Sequence, residues 1–278
     1  MFQVGCNFDW AETRSKKLVV FMPNFNHPEL TEFSINQIKT KIDPKDYLIV
    51  IGNDGIPFDW QKYHGKNVRY FNIIRDDKSP RNGAFVRNYF LKRCESELVC
   101  QKDGEVVIEG DFIYNTIHFR NAWRAGKIYV LNEEQTQQMQ QAGPQKIIET
   151  CAPTRLIEMP IVRNVYELKE IIVGADGRVN PTSYFHYAFA CKTSLFPYIG
   201  GYDEEYTHYG FEDSDVFCRL YNIGVDLVPD YSCCAIHPWH PRAGDCTPDN
   251  LVKMRQLFIQ KSPDDYFRNK NKNWGEGK

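Results

Sequence analysis

Three groups of residues in this chain have the types and spacing that reactive sites use. The first is Gly200-Gly201-Tyr202-Asp203-Glu204, followed closely by Tyr209-Gly210-Phe211-Glu212-Asp213-Ser214-Asp215. A two-glycine turn lets the backbone pass close to a ligand, and Tyr202, Tyr206, Tyr209 and Phe211 offer flat faces on which sugars and other rings rest. Glu212, Asp213 and Asp215 set three acids within four residues, a repulsive arrangement unless a cation, a hydroxyl or nearby donors compensate. The same acids would also suit a helix start, where they complement the dipole and cap exposed amides. The second group is Asp103-Gly104-Glu105, whose glycine lets both carboxylates turn toward one point, such as a divalent ion carried by a diphosphate. Acidic turns are common, so this pair alone is weak. The third is His237-Pro238-Trp239-His240, where one histidine could serve a metal ion, the alternative being an aromatic packing corner.

The elements that must carry these groups alternate between strand and helix. Leu18 to Met22 is an apolar run that stops at Pro23-Asn24-Phe25-Asn26, as a buried strand ending in a loop would. A helix follows from Pro28 to Lys41, with Leu30, Phe33, Ile35 and Ile38 as its apolar positions. Tyr47 to Ile51 is a second strand, and its closing turn Gly52-Asn53-Asp54-Gly55 holds a carboxylate where the end of a parallel strand would place it. A third strand over Val68–Ile74 leads to a helix over Ala84–Cys94, and a fourth over Glu97–Gln101 ends at Asp103 and Glu105. Repeated strand, loop and helix units predict an α/β fold around a mainly parallel sheet, with Asp54, Asp103 and Glu105 on one rim. Glu133 to Ala142 is polar and glutamine-rich, an exposed helix or mobile loop ended by Gly143-Pro144, and has no assignable task. Tyr184 to Cys191 reads as strand, Val225 to Pro229 as strand and turn, Leu251 to Gln260 as helix, and Asn269 to Lys278 as a frayed, charged tail.

With 278 residues, 42% hydrophobic and 14% aromatic, the chain can bury one large α/β core or two closely packed ones. A formal charge of −2 gives no global attraction to nucleic acid or anionic membrane. Met1 to Lys17 lacks the apolar core of a secretory signal, and no apolar run approaches the roughly 20 residues that span a bilayer. The expectation is a soluble, cytoplasmic protein. Nine cysteines, an odd number in a large chain, point to reduced thiols, and Cys233-Cys234 lacks a Cys-x-x-Cys partner for structural zinc.

The order of these features resembles the nucleotide-sugar glycosyltransferases of the GT-A fold, family-2-like with a galactosyltransferase-type carboxyl-terminal segment, from about Leu18 to His240. The family's Pro-x-x-Asn turn is similar to Pro23-Asn24-Phe25-Asn26. Its Asp-Asp-Gly is similar to Asn53-Asp54-Gly55, with Asn53 in place of the first acid. Its Asn-x-Gly-x-x-x-x-Arg-Asn pattern looks like Arg81-Asn82-Gly83-Ala84-Phe85-Val86-Arg87-Asn88, a helix start that can approach donor phosphates. Its metal-binding Asp-x-Asp is similar to Asp103-Gly104-Glu105, with Glu105 in the second place and Lys102 before it. The Gly-Gly-x-Asp-Glu and Gly-x-Glu-Asp-x-Asp segments match most closely.

The resemblance implies a GT-A sheet flanked by helices with a smaller acceptor-side subdomain. Residues 1–130 would bind the nucleotide sugar, 131–260 would bind the acceptor and catalyse, and 261–278 would form a tail. Pro23, Asn26, Asp54, Asn82, Arg87 and Asp103 would face the donor, a UDP-sugar in the first instance. Gly200, Gly201, Tyr202, Asp203, Glu212 and Trp239 would face the acceptor, a glycan or other hydroxyl-bearing molecule; a modified DNA base is a further option that the charge balance does not favour. Transfer needs a cation on the departing diphosphate and a base for the acceptor hydroxyl. Asp103 and Glu105, with His237 ahead of His240 as a third ligand, would hold Mn²⁺ or Mg²⁺, a mixed oxygen and imidazole set that suits Mn²⁺ better than Ca²⁺. Asp213 would be the base of an inverting transfer and Glu212 an acceptor ligand. A retaining transferase, a nucleotidyltransferase and a non-catalytic carbohydrate-binding descendant are the alternatives.

Overall fold

The computed structural model describes residues 2–55, 59, 67–75, 83–150, 153, 155–158, 165–173, 187–241, 246–261, 265–270 and 273–276. The strands are β1 (Phe2–Cys6), β2 (Leu18–Asn24), β3 (Tyr47–Asn53), β4 (Val68–Arg75), β5 (Leu98–Lys102), β6 (Val107–Glu109), β7 (Trp123–Val130), β8 (Arg155–Glu158), β9 (Ala188–Lys192) and β10 (Val228–His237). The helices are α1 (Pro28–Gln37), α2 (Gly83–Leu91), α3 (Phe112–His118), α4 (Glu133–Ala142), α5 (Pro144–Thr150), α6 (Val165–Val173), α7 (Leu195–Ile199), α8 (Glu212–Asn222) and α9 (Pro248–Gln260). All strands join one sheet in the order β1-β4-β3-β2-β5-β9-β7-β10-β6, with β8 on β7.

Strand β2 lies between β3 and β5, parallel to both, and every one of its residues is buried. Covered faces on both sides explain why its sequence is an unbroken apolar run instead of an alternating one. Helix α2 covers this block with an aromatic layer, in which Phe90 stacks on Phe21 at 4.1 Å between ring centroids. The second half of the sheet attaches through β9, which runs antiparallel to both β5 and β7. Two reversals restore the original direction, so β7 and its parallel neighbour β10 end on the same rim as β2, β3 and β5. That single topological fact brings Asp103, after β5, to the side of the molecule where β10 delivers His237.

The mainly parallel α/β core is as expected, and several element boundaries are not. Gly143 caps α4 with a positive φ of 88°, but Pro144 opens α5 instead of a loop, because proline is at home in a first helical turn. The strand expected at Val225–Pro229 starts at Val228 and runs to His237. The described cysteines are all free thiols. Among the described residues no helix is long and apolar enough to cross a membrane.

The carboxyl-terminal segment is not a frayed tail. The Arg268 amide donates to the Ile199 carbonyl (3.1 Å), and Asn269 Nδ2 donates to the carbonyls of Gly200 (2.8 Å) and Tyr202 (2.7 Å). Further on, the Gly275 amide donates to Glu204 Oε1 (2.8 Å), and Glu276 pairs with Lys92 and Arg93 (3.1 Å each). This strap lies across the Gly200–Glu204 turn and α2. Charged residues that read as solvated in sequence find their counter-ions here.

Candidate active site

Pro23 and Gly104 explain how the Asp-x-Glu turn is aimed. The Gly104 amide donates to the Pro23 carbonyl at 3.0 Å, and a Cβ at Gly104 would fall 2.7 Å from that oxygen and 2.6 Å from Thr31 Oγ1. Only glycine permits this approach, so the turn is pinned under β2 and its two acids diverge. Pro23, expected to face the donor, is buried and supports this turn through its carbonyl.

Glu105 turns toward the imidazoles. Its Oε1 lies 3.8 Å from His237 Nε2 and 3.5 Å from His240 Nε2, and the three ligand atoms all fall within 4.8 Å of one another. Burial opposes ionisation of Glu105, yet His240 and His237 beside it hold its carboxyl well below the usual range. His240 Nδ1 is 3.0 Å from the Pro241 carbonyl. A carbonyl can only accept, so Nδ1 carries a proton in this contact and Nε2 is the ring nitrogen turned toward Glu105, whose carboxylate favours the protonated ring. His237 ends β10 because Pro238 cannot continue the ladder, and the Trp239 amide donates to Thr136 Oγ1 (2.7 Å). Helix α4, without a task in the sequence reading, thus anchors the His-Pro-Trp-His segment. Trp239 itself is 42% exposed.

Asp103 turns the other way. Its Oδ1 accepts from Arg87 Nη2 at 2.9 Å, and the same guanidinium lies 3.5 Å (Nε) from Asp213 Oδ1 and 4.0 Å (Nη1) from Glu212 Oε1. Burial pushes the Asp103 carboxyl well up against the pull of Arg87, and Glu105 and Asp213 push in the same direction. Arg87, expected to face the donor, links the Asp-x-Glu turn to the first turn of α8. The acids at 103, 212 and 213 form one cluster. Asp103 falls outside the group of three metal-ligand atoms, so the candidate metal set is Glu105, His237 and His240.

The other expected site residues have varied surroundings. Tyr202 is fully buried, with its hydroxyl donating to Gln101 Oε1 at 2.9 Å, so its ring cannot receive an acceptor sugar. Asp203 is 2% exposed and engaged by Lys261 and Arg268, and Asp215 pairs with Arg219 (2.7 Å) and Arg268 (3.3 Å). Neither faces the cluster. Gly200 and Gly201, at φ 75° and 69°, accommodate the strap, since a Cβ on Gly200 would collide with the Arg268 carbonyl and one on Gly201 would meet Asn88 Oδ1 at 2.6 Å. Asp54 is buried with its amide bonded to the Asn24 carbonyl (2.9 Å), and Asn26 is exposed at a positive φ of 59°. Asn82 lies outside the described residues.

Two features escaped the sequence reading. Asn24, Asn53 and Asn72 are in register on three parallel strands and bond in series, Asn24 Nδ2 to Asn53 Oδ1 (2.6 Å) and Asn53 Nδ2 to Asn72 Oδ1 (2.8 Å). An aspartate at 53 could not donate the second of these bonds, which gives the changed acid a structural reason. His27 is the other, its ring 4.4 Å from that of His240.

A family described as the N-terminal domain of galactosyltransferase matches residues 175–232, the span of the glycine pair and the acidic turn of α8. No match is found among curated proteins. Among solved structures, S. aureus TarS in complex with UDP-GlcNAc is similar at 15% identity and a TM-score of 0.53, covering 87% of this chain and 65% of that one. Mannosyltransferase PcManGT from Pyrobaculum calidifontis, in complex with GDP-Man and Mn²⁺, gives 15% identity and a TM-score of 0.48, with coverage of 84% and 60%. The catalytic domain of Drosophila beta1,4galactosyltransferase 7 with xylobiose gives 10% and 0.48, with coverage of 89% and 81%. The chain thus spans about 60% of the PcManGT chain and 65% of the TarS chain. The chain shares the fold of TarS, and residues 175–232 carry the galactosyltransferase-type segment.

Proposed function

We propose that this chain moves a sugar from a nucleoside diphosphate sugar, a UDP-sugar in the first instance, to an acceptor hydroxyl with inversion, using Asp213 as general base. The observation that carries the reading is Arg87, which touches Asp103 on the sheet rim and Glu212 and Asp213 on α8, so that donor-side and acceptor-side acids share one place. The fold shared with TarS, solved with UDP-GlcNAc, supports the choice of donor class.

The residues present fit a divalent ion. Glu105, His237 and His240 offer one oxygen and two nitrogens, a set that suits Mn²⁺, and Mg²⁺ is the alternative. Such an ion, when bound, neutralises charge on the departing diphosphate. Asp213 takes the proton of the acceptor hydroxyl as its oxygen attacks the anomeric carbon from the face opposite the diphosphate, and Glu212 orients that hydroxyl. The exposed Trp239 indole, next to the histidines, is a platform for donor or acceptor sugar. The acceptor class is a glycan or other hydroxyl-bearing molecule, and no observation favours a nucleobase.

A melting-temperature panel of nucleotides and nucleotide sugars, with and without Mn²⁺, tests the donor assignment, because a ligand selective for the folded state raises the melting point. A Mn²⁺-dependent rise confined to uridine nucleotides is expected. No rise with any nucleotide would remove the reading. NMR of the anomeric proton in the first product then separates inversion from retention.

A further inference from the structure

Arg87 is 5% exposed and has three carboxylates around it, of which Asp103 is held at the shortest distance. Nη2 donates to Asp103 at 2.9 Å and Nη1 to the Gly83 carbonyl at 3.3 Å, which fixes the plane of the group. Nε then faces Asp213 at 3.5 Å, beyond a close hydrogen bond but well within strong electrostatic range in a buried setting. The Tyr202 ring closes one side, 5.5 Å from the guanidinium carbon. The next residue sets where this group stands. Asn88 is fully buried, its Oδ1 accepts from the Tyr202 amide (2.7 Å), and its Nδ2 donates to the Tyr202 carbonyl and to Glu204 (2.8 Å each). Two consecutive residues of α2 therefore hold the acceptor-side turn and the acid cluster at one fixed offset. A lysine in place of Arg87 would supply a point charge able to grip one acid, but no planar fork to space two of them.

We propose that Arg87 is a positioning residue for the transfer, holding Asp213 at a set distance from Asp103 so that the base and the donor-side acid stay in register. It acts through Asp213 and rests on the transferase reading above.

The test uses the full chain with Arg87→Lys, Arg87→Ala and Asp213→Asn. Arg87→Lys is expected to lower kcat by about a hundredfold, the scale of a misaimed base, with acceptor KM within about threefold. Millimolar guanidinium is expected to restore at least about tenfold of the lost rate to Arg87→Ala and none to Asp213→Asn, a readout that loss of folding would not give. Arg87→Lys with kcat within about threefold of the parent overturns the proposal, as does a folded Arg87→Ala that guanidinium leaves unchanged. Should the parent chain transfer no sugar, the transferase reading fails by itself, and a melting-temperature cycle over Arg87→Lys and Asp213→Asn still reads the contact. Non-additivity of about 3 °C or more supports the coupling, and additive shifts overturn it.

Discussion

Two sets of acids that meet in the first turn of α8 keep different counter-ions. Asp203 and Asp215, beneath the strap, are engaged by three cations, Arg219, Lys261 and Arg268. Asp103, Glu212 and Asp213 share the guanidinium of Arg87, and Glu105 has the two histidines. Acids engaged by several cations hold the chain together, whereas the three that gather at the Arg87 guanidinium are where a further positive charge, such as a bound ion, gains most. Sequence spacing puts Asp213 and Asp215 side by side; helix geometry sends one to Arg87 and the other to Arg219, one turn along α8.

The comparison breaks most visibly under neutralisation of one acid from each set. Asp215→Asn removes an anion from between two buried arginines and is expected to cost about 3–5 kcal/mol in denaturant unfolding, as breaking a buried pair does. A loss under about 0.5 kcal/mol would mean the strap side is not held by charge. Asp213→Asn should do the reverse, lowering transfer by about a hundredfold or more while leaving stability unchanged or raised, since one of three mutually repelling acids is gone. Destabilisation larger than that of Asp215→Asn would invert the two roles.

Smaller effects sharpen the boundary between the regions. Gly201→Ala places a Cβ at positive φ and against Asn88, and about 1–2 kcal/mol of stability should go with it. Faster hydrogen exchange at Gly275, whose amide is bonded to Glu204, would report the strap loosening, and unchanged exchange would separate the turn from the strap. Trp239→Ala is expected to leave stability within about 0.5 kcal/mol and to raise an acceptor or donor KM by about threefold to tenfold, the range of one stacking contact. No KM change would return Trp239 to the role of a surface residue.

Much of the fold was legible because its signals are local. The apolar run of β2, the turn at Asp54 and the helix after Gly83 each follow from neighbours in sequence, and so does the place of Asp103 and Glu105 on one rim, although their carboxylates diverge there instead of turning toward one point. What was hidden depends on partners far along the chain. Asp203 meets Lys261 across 58 positions and Asp215 meets Arg268 across 53, so nothing near either acid announces its counter-ion. The glycine pair was read as room for a ligand; it is occupied by the chain's own Arg268 carbonyl and Trp274 ring, which a local reading places in a tail. Likewise the Asn24, Asn53 and Asn72 series exists only once three strands are laid in register. The one available signal was that all three asparagines sit at or near the ends of apolar runs.

Calorimetric titration of Mn²⁺ and UDP into the parent chain and into Glu105→Gln tests the central claim, that the acid-rich rim is completed by a divalent ion and a nucleoside diphosphate. One ion per chain that strengthens UDP binding in the parent, and no such ion in Glu105→Gln, is the predicted result. Equal UDP binding in chelator and in Mn²⁺, or an unaltered ion site in Glu105→Gln, would contradict it.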